Sequence, residues 1–135
     1  MSNVGKIFHY KGIYEKSNGH YCIVIAEDET SRKVLAVRVT SKPRRTLPRA
    51  ESAVYFLSLE DVKRVFPPSL YGKGNPNWHQ ESRIYYADAI ELCADNLEFK
   101  KNSCPSDILE NIIWKIKNAY PYVVRTEYMR YFCSK

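Results

Sequence analysis

Residues 20–40 of this 135-residue chain read HYCIVIAEDETSRKVLAVRVT, and this stretch decides the fold. Residues 21–26 form a continuous apolar run, which is typical of a strand buried on both faces. The polar residues 27–31 follow as a turn, and residues 34–40 have the composition of a second strand. Two strands joined by a short polar turn predict an antiparallel hairpin.

Outside the hairpin, the first half of the chain and part of the second also indicate β structure. Strands are predicted at residues 7–14, 53–57 and 83–89, because these runs are rich in β-branched and aromatic residues. Residues 91–97 are predicted to form a turn or a short strand. The Tyr-rich residues 122–132 are predicted to form a last strand or a short helix.

Two helices complete the predicted architecture. Ser58 is suited to cap a short helix over residues 59–65, which two prolines then end. The main helix is predicted to start at Pro105, because apolar residues recur after it along a single helical stripe. The fold class is therefore mainly β with a C-terminal helix (α+β), built on a small, curved antiparallel sheet or barrel. The apolar stripe of the main helix consists of Ile108, Leu109, Ile112, Ile113 and Ile116.

Length and composition predict one soluble domain covering residues 1–135, since 44% of the residues are apolar and 27% are charged. No apolar run approaches the roughly 18 residues that span a bilayer, and we expect neither a membrane partner nor a signal peptide. A cytoplasmic location is the default expectation. The four cysteines are spaced far apart without a metal-ligand pattern, and we expect them to be reduced and mostly buried; the alternatives are a structural zinc site and a disulfide framework.

Positive charge is concentrated in the first third of the chain. Residues 1–50 contain ten basic and four acidic side chains, whereas residues 51–135 contain eleven of each, so the net charge of +6 lies before residue 51. The stretch 32–49 has no acid, and it favours an anionic partner such as a nucleic acid. Its basic residues are Arg32, Lys33, Arg38, Lys42, Arg44, Arg45 and Arg49.

Within that stretch, cations and hydroxyl groups follow one another at the end of a predicted strand. Arg38 and Thr40 lie on the same face of the strand, and Ser41 and Lys42 follow directly. Guanidinium, ammonium and hydroxyl donors together suit a phosphate. The alternative is a solvated basic loop in which the Thr-Ser hydroxyls bond only the local backbone.

Histidine supplies the candidate proton-transfer group. His20 opens the most apolar strand and can donate or accept a proton near neutral pH, although a histidine at a strand end can also be purely structural. Trp78 and His79 lie in a Gly- and Asn-rich loop, where they would stack on a base or pack as a lid. The C-terminal tyrosines would serve as core, as a subunit interface or as a stacking surface.

The order of these features resembles the MazF/PemK-like toxins of bacterial toxin–antitoxin systems, and the related ToxN-like RNases. The resemblance covers residues 5–117 and rests on short motifs in a shared order. In chain order, these motifs are Gly5-Lys6-Ile7-Phe8, the apolar strand at residues 20–25, Val39-Thr40-Ser41-Lys42, Leu47-Pro48, the single residues Ser82, Ile90 and Leu97, and the helix at residues 106–117.

The resemblance implies an SH3-like barrel that forms a homodimer and cleaves RNA without a metal or another cofactor. Residues 5–117 would form the toxin-like barrel with its helix, and residues 118–135 a Tyr-rich C-terminal extension. Where the family typically has Arg followed by Pro, this chain has His20 followed by Tyr21. Either His20 takes a catalytic role, or Arg38 reaches in beside Thr40, or the chain is an inactive relative.

The predicted function is a metal-independent endoribonuclease acting on single-stranded RNA, in a toxin–antitoxin or phage-defence system. Its partners would be RNA, a protein or RNA antitoxin, and a second copy of the chain. The alternatives are a non-catalytic nucleic-acid-binding barrel and a protein–protein module that uses residues 32–49. The candidate catalytic residues are His20, Arg38, Thr40 and Ser41, and the candidate RNA-binding residues are Lys42, Arg44, Arg45, Arg49, Trp78 and His79.

Overall fold

The computed structural model describes residues 2–12, 19–42, 53–71, 79–119 and 123–132. These residues form seven strands, two α-helices and short 3₁₀ turns at Tyr86–Asp88, Ala94–Asn96 and Thr126–Tyr131. The helices are α1 (Leu59–Val65) and α2 (Ser106–Asn118). The strands are β1 (Lys6–Tyr10), β2 (His20–Asp28), β3 (Lys33–Val39), β4 (Val54–Leu57), β5 (Ser82–Tyr85), β6 (Ile90–Cys93) and β7 (Phe99–Ser103).

The hairpin predicted from residues 20–40 is confirmed and forms the centre of the main sheet. β2 pairs antiparallel with β3, from Tyr21 opposite Val39 to Asp28 opposite Lys33. The sheet has five strands in the order β6-β3-β2-β1-β7, and β4 and β5 form a separate antiparallel pair. The α+β class is therefore confirmed.

The main sheet is curled but open, so the predicted closure into a barrel is wrong for the described residues. Among the residues that the structure describes, its edge strand β6 pairs only with β3, and its edge strand β7 pairs only with β1. Residues 94–98 nevertheless connect the two edges. A flat sheet of five strands is about 19 Å wide, whereas this connection, with its 3₁₀ turn, reaches only about 16 Å. The sheet is therefore not flat, because its two edges lie closer together than in a flat sheet of five strands.

Both faces of the central hairpin are buried, as its continuous apolar run predicts. On one face, Ile23 and Val37 pack in a cluster with apolar residues of α1 and α2. On the other face, Cys22 and Val24 join a smaller cluster beneath apolar side chains of the edge strands. A β-bulge after Val24 shifts the register, and the next two residues of β2 both belong to the first cluster.

The two helices form where the sequence predicts them. The Ser58 hydroxyl accepts a 3.1 Å hydrogen bond from Asp61 N and caps α1. Along α2, Ile112 and Ile116 are completely buried, and the Ile112 carbonyl accepts a 2.9 Å hydrogen bond from the buried Tyr86 hydroxyl. No helix among these residues is long and apolar enough to cross a bilayer.

Other elements differ from the predicted ones. β5 ends at Tyr85 and continues as a 3₁₀ turn, and residues 91–97 divide between β6 and a second turn. β7 has the sequence FKKNS and was not predicted, because it lacks an alternating apolar pattern. The C-terminal segment forms a 3₁₀ turn, whose Arg130 and Tyr131 side chains bond the Glu91 carboxylate of β6.

Three of the four cysteines lie within the described residues. Cys22 and Cys104 are buried, Cys93 is half-buried, and all three are reduced thiols. Burial raises the pKa of the Cys104 thiol to about 12, which keeps the thiol protonated at neutral pH. Cys133 lies outside the described residues.

Candidate active site

The register of the central hairpin brings the two main candidate residues together. Tyr21 pairs with Val39 and Cys22 with Arg38. Continuing this register by one residue sets His20 opposite Thr40. Side chains alternate along each strand, so His20, Arg38 and Thr40 belong to the same face of the sheet. Residues that are about 20 positions apart in the sequence therefore meet at one strand end.

Two adjoining clefts open at this strand end. The larger one, of about 440 Å³, is lined in part by His20, Thr40, Ser41 and Lys42. The smaller one, of about 180 Å³, is lined by His20, Arg38, Thr40, Lys42, Tyr85 and Asp88. The structure thus gathers all four predicted catalytic residues and Lys42 around one place.

Thr40 is held in this place by backbone bonds to the start of β5. The Thr40 N–H donates to the Arg83 carbonyl at 3.0 Å, and the Arg83 N–H donates to the Thr40 carbonyl at 2.8 Å. The Arg83 guanidinium also donates to the Ser41 carbonyl at 3.1 Å. The turn carrying the hydroxyls is therefore fixed from outside its own strand.

The Thr40 hydroxyl also forms a hydrogen bond with the local backbone. The alternative of a solvated basic loop predicted a bond of this kind. Its Oγ1 accepts a 3.2 Å hydrogen bond from the Lys42 N–H. A hydroxyl that accepts one bond still has its own hydrogen to donate. The local bond therefore orients the hydroxyl and remains compatible with donation to a phosphate oxygen.

His20 enters the site directly after a glycine with a left-handed backbone. Gly19 has φ +88°, and a β-carbon there would lie only 2.5 Å from the Tyr10 carbonyl oxygen. Only glycine fits this position. His20 is half-buried, and its Nδ1 atom is screened from solvent. The close approach of the chain at Gly19 thus directly precedes the residue whose side chain lines both clefts.

Asp88 is a site residue that the sequence analysis missed. It ends the 3₁₀ turn Tyr86–Asp88 and lines the smaller cleft together with His20 and Arg38. A carboxylate at this point is able to orient an imidazole or a guanidinium by charge and hydrogen bonding. It follows β5, far from the Thr-Ser loop in the sequence, and no motif indicates its role.

An aromatic wall on the larger cleft was also missed. The Tyr21 ring lies 5.0 Å from the His9 ring and 5.4 Å from the Phe66 ring, centroid to centroid, and these three residues all line the cleft. Tyr71 backs the wall at 5.2 Å from Tyr21, and its hydroxyl donates to the Asn102 side chain at 2.6 Å. Burial raises the pKa of Tyr71 to about 12, so it is neutral at physiological pH.

The structure does not bring His79 into either cleft. Its Nε2 lies 2.6 Å from the Phe66 carbonyl oxygen. Because a carbonyl oxygen only accepts, Nε2 carries the hydrogen of this bond. His79 thus anchors the end of α1. Trp78, Arg44, Arg45 and Arg49 lie outside the described residues, so their predicted roles remain predictions.

The described basic residues of the stretch 32–49 do not all lie at one place on the surface. Arg32 precedes β3 and makes a 2.6 Å ion pair with Asp95, whereas Thr40 follows the other end of the strand. Seven strand residues separate these ends by about 20 Å. Of the basic residues of this stretch that the structure describes, Arg38 and Lys42 therefore line the clefts, whereas Arg32 and Lys33 do not.

No protein-family model matches this chain, and no curated protein matches it. Within the described ranges, no three side chains of His, Cys, Asp or Glu lie close enough together to hold a metal ion. The chemistry of the clefts is therefore inferred from their own residues. An imidazole, two cations, hydroxyl groups and one carboxylate surround a space that suits a phosphate and an adjoining larger group.

Proposed function

We propose that this protein is a metal-independent endoribonuclease that cleaves single-stranded RNA at the two adjoining clefts. The observation that carries the proposal is the convergence of His20, Arg38, Thr40 and Lys42 on one small cleft. A proton-transfer group, two cations and a hydroxyl are the parts that RNA cleavage through the 2′-hydroxyl requires.

In the proposed reaction, the 2′-hydroxyl of RNA attacks the adjacent phosphorus. A new bond forms between the 2′-oxygen and phosphorus, and the bond between phosphorus and the 5′-oxygen breaks. One group takes the proton of the 2′-hydroxyl, and another supplies a proton to the departing 5′-oxygen. His20 performs one of these transfers, and the first products are a 2′,3′-cyclic phosphate and a 5′-hydroxyl.

Negative charge grows on the non-bridging phosphate oxygens during this reaction. The Thr40 and Ser41 hydroxyls and the Arg38 guanidinium are the proposed donors to these oxygens. Lys42 is exposed at the rim of both clefts and is proposed to bind a neighbouring phosphate. Arg44, Arg45 and Arg49, which follow in the sequence, are proposed to extend this contact.

The fold supports one part of the proposal. A curled antiparallel sheet with a C-terminal helix against one face agrees with the SH3-like part of the MazF/PemK-like resemblance, although the sheet is open. A role in a toxin–antitoxin or phage-defence system follows from the same resemblance. The proposed partners of the protein, a protein or RNA antitoxin and a second copy of the chain, follow from the same resemblance.

The proposal is tested by incubating the purified protein with a mixed RNA pool in EDTA. Discrete fragments with 2′,3′-cyclic phosphate ends are the expected result. RNA that is retained but intact would instead indicate a non-catalytic nucleic-acid-binding protein. RNA that is neither bound nor cut, across a pool covering all short sequences, would contradict the proposal and favour a protein–protein module.

A further inference from the structure

The two clefts share three of their lining residues, and this overlap gives the larger cleft a defined position relative to the proposed phosphate site. His20, Thr40 and Lys42 line both. A phosphate held at these residues lies at the boundary between the clefts. The nucleoside attached to that phosphate would therefore extend into one of them.

The larger cleft has the size and the walls that suit a nucleobase. Its volume of about 440 Å³ falls within the range of roughly 300–1,000 Å³ that is usual for small-molecule sites, whereas the smaller cleft of about 180 Å³ is below that range. Three rings, those of His9, Tyr21 and Phe66, contribute to its lining. His9 is the exposed ring of the three. Aromatic rings next to cationic groups are the usual means of binding an unstacked base.

Gln80 adds a polar group to the lining of this cleft. Its backbone is fixed, because the buried Ser82 hydroxyl donates to the Gln80 carbonyl at 2.9 Å. The side-chain amide contains both a donor and an acceptor, as required to pair with the edge of a base. Rings for stacking and an amide for edge recognition therefore lie in one cleft, beside the proposed phosphate position.

We propose that the larger cleft is a nucleobase-binding subsite, in which His9 and Tyr21 contact the ring of the base and Gln80 reads its edge. The proposal rests on the proposed function for the position of the phosphate. It goes further by stating which nucleotide group enters which cleft. It also assigns the sequence preference of cleavage to Gln80 and His9, outside the basic loop.

Binding without turnover tests the subsite directly. The wild-type protein is titrated with the four nucleoside 3′-monophosphates and, separately, with inorganic phosphate, and binding is followed by NMR. We expect at least one nucleotide to bind about tenfold or more tightly than inorganic phosphate, because base stacking adds to phosphate binding. Equal affinities for phosphate and for all four nucleotides would overturn the proposal.

Two exposed positions allow the proposal to be tested without disturbing the core. His9→Ala is expected to reduce the nucleotide advantage several-fold and to leave the affinity for inorganic phosphate unchanged. Gln80→Ala is expected to change the ranking of the four nucleotides. Glu81→Ala, next to Gln80 but absent from the lining of both clefts, is the matched control and should change neither.

The failure of this proposal is distinguishable from that of the nuclease proposal. Nucleotides that outcompete phosphate in a protein that cuts no RNA would support the subsite and contradict the nuclease. RNA cleavage without any nucleotide advantage would support the nuclease and contradict the subsite. An equal loss of phosphate affinity and nucleotide affinity in His9→Ala would also contradict the nucleobase subsite, because His9 would then belong to the phosphate site.

Discussion

Thr40 and Arg83 exchange both of their backbone hydrogen bonds, at 3.0 and 2.8 Å, and thereby join the end of β3 to the start of β5. This isolated bridge is the direct backbone link between the five-stranded sheet and the β4–β5 pair in the described part of the chain. The bridge holds the Thr40 backbone through main-chain atoms, and the bond from the Lys42 N–H orients the Thr40 hydroxyl. The chemistry of that side chain can therefore be changed without removing the link.

Thr40→Val is expected to lower the rate of RNA cleavage about 100-fold, because it removes one proposed donor to the phosphate oxygens and keeps the branched shape. The thermal stability should change little, since the bonds to Arg83 use the backbone and the Lys42 N–H, which loses its bond to the hydroxyl, is at an exposed position where water replaces it. Single-turnover cleavage and thermal unfolding measure the two effects. A variant that cleaves RNA at the wild-type rate would remove the Thr40 hydroxyl from the mechanism.

Lys42→Ala is expected to reduce the salt dependence of RNA binding by roughly 0.7 in the slope of log K against log salt, as for the loss of one phosphate contact. A 2′-O-methyl RNA, which lacks the nucleophile, allows binding to be measured without cleavage. Lys33→Ala is the matched control, because Lys33 is exposed at the opposite end of β3. An equal change of slope in both variants would contradict the assignment of the phosphate contact to the clefts.

Much of the architecture follows from local patterns. The apolar run and polar turn at residues 20–40 predict the hairpin, and the spacing of the isoleucines predicts α2. β7 could not be predicted in this way, because FKKNS has the composition of a polar loop and becomes a strand only by pairing with β1. Closure of the sheet depends on such edge pairing, which has no local signal.

The site was predictable only where its residues belong to the hairpin. The sequence predicts the hairpin and places Arg38 and Thr40 on one face of their strand, whereas the register that sets His20 opposite Thr40 comes from the structure. Asp88 and Gln80 reach the clefts through β5, whose position depends on the bridge between Thr40 and Arg83. Long-range contacts of this kind leave no trace in residue spacing.

His79→Ala is expected to lower the free energy of unfolding and to leave the cleavage rate within about twofold of wild type. The variant removes the 2.6 Å bond to the Phe66 carbonyl, which costs roughly 1–2 kcal/mol when a half-buried acceptor loses its partner. Denaturant unfolding measures the first effect and single-turnover cleavage the second. A large loss of rate at unchanged stability would instead favour a role for His79 in binding RNA.

Glu91→Gln is expected to destabilise the protein at neutral pH by up to about 1 kcal/mol, because a neutral amide oxygen replaces the charged acceptor of the bonds from Tyr131 and the exposed Arg130. These two bonds lower the pKa of Glu91. The stabilisation is therefore present above the ordinary value of 4.5 and is lost as the pH falls through the lowered pKa.

The pH dependence of unfolding provides the check on Glu91. The free energy of unfolding of the wild-type protein and of Glu91→Gln should differ at pH 7 and converge as the pH is lowered below the pKa of Glu91. Glu29→Gln, at an exposed position in the β2–β3 turn, is the control and should follow the wild-type curve. If the two free energies of unfolding differ by the same amount at low pH and at pH 7, the charge of Glu91 is not the source of the stabilisation.

The most direct test of the central claim is single-turnover cleavage of RNA in EDTA by the wild-type protein and by His20→Ala. The account predicts fragments with 2′,3′-cyclic phosphate ends from the wild-type protein, and a rate about 100-fold or more lower in the variant, as expected for a general acid or base. Both proteins should have the same thermal stability. Equal cleavage rates for the two proteins, or an absence of cleavage by the wild-type protein across the whole RNA pool, would contradict the account.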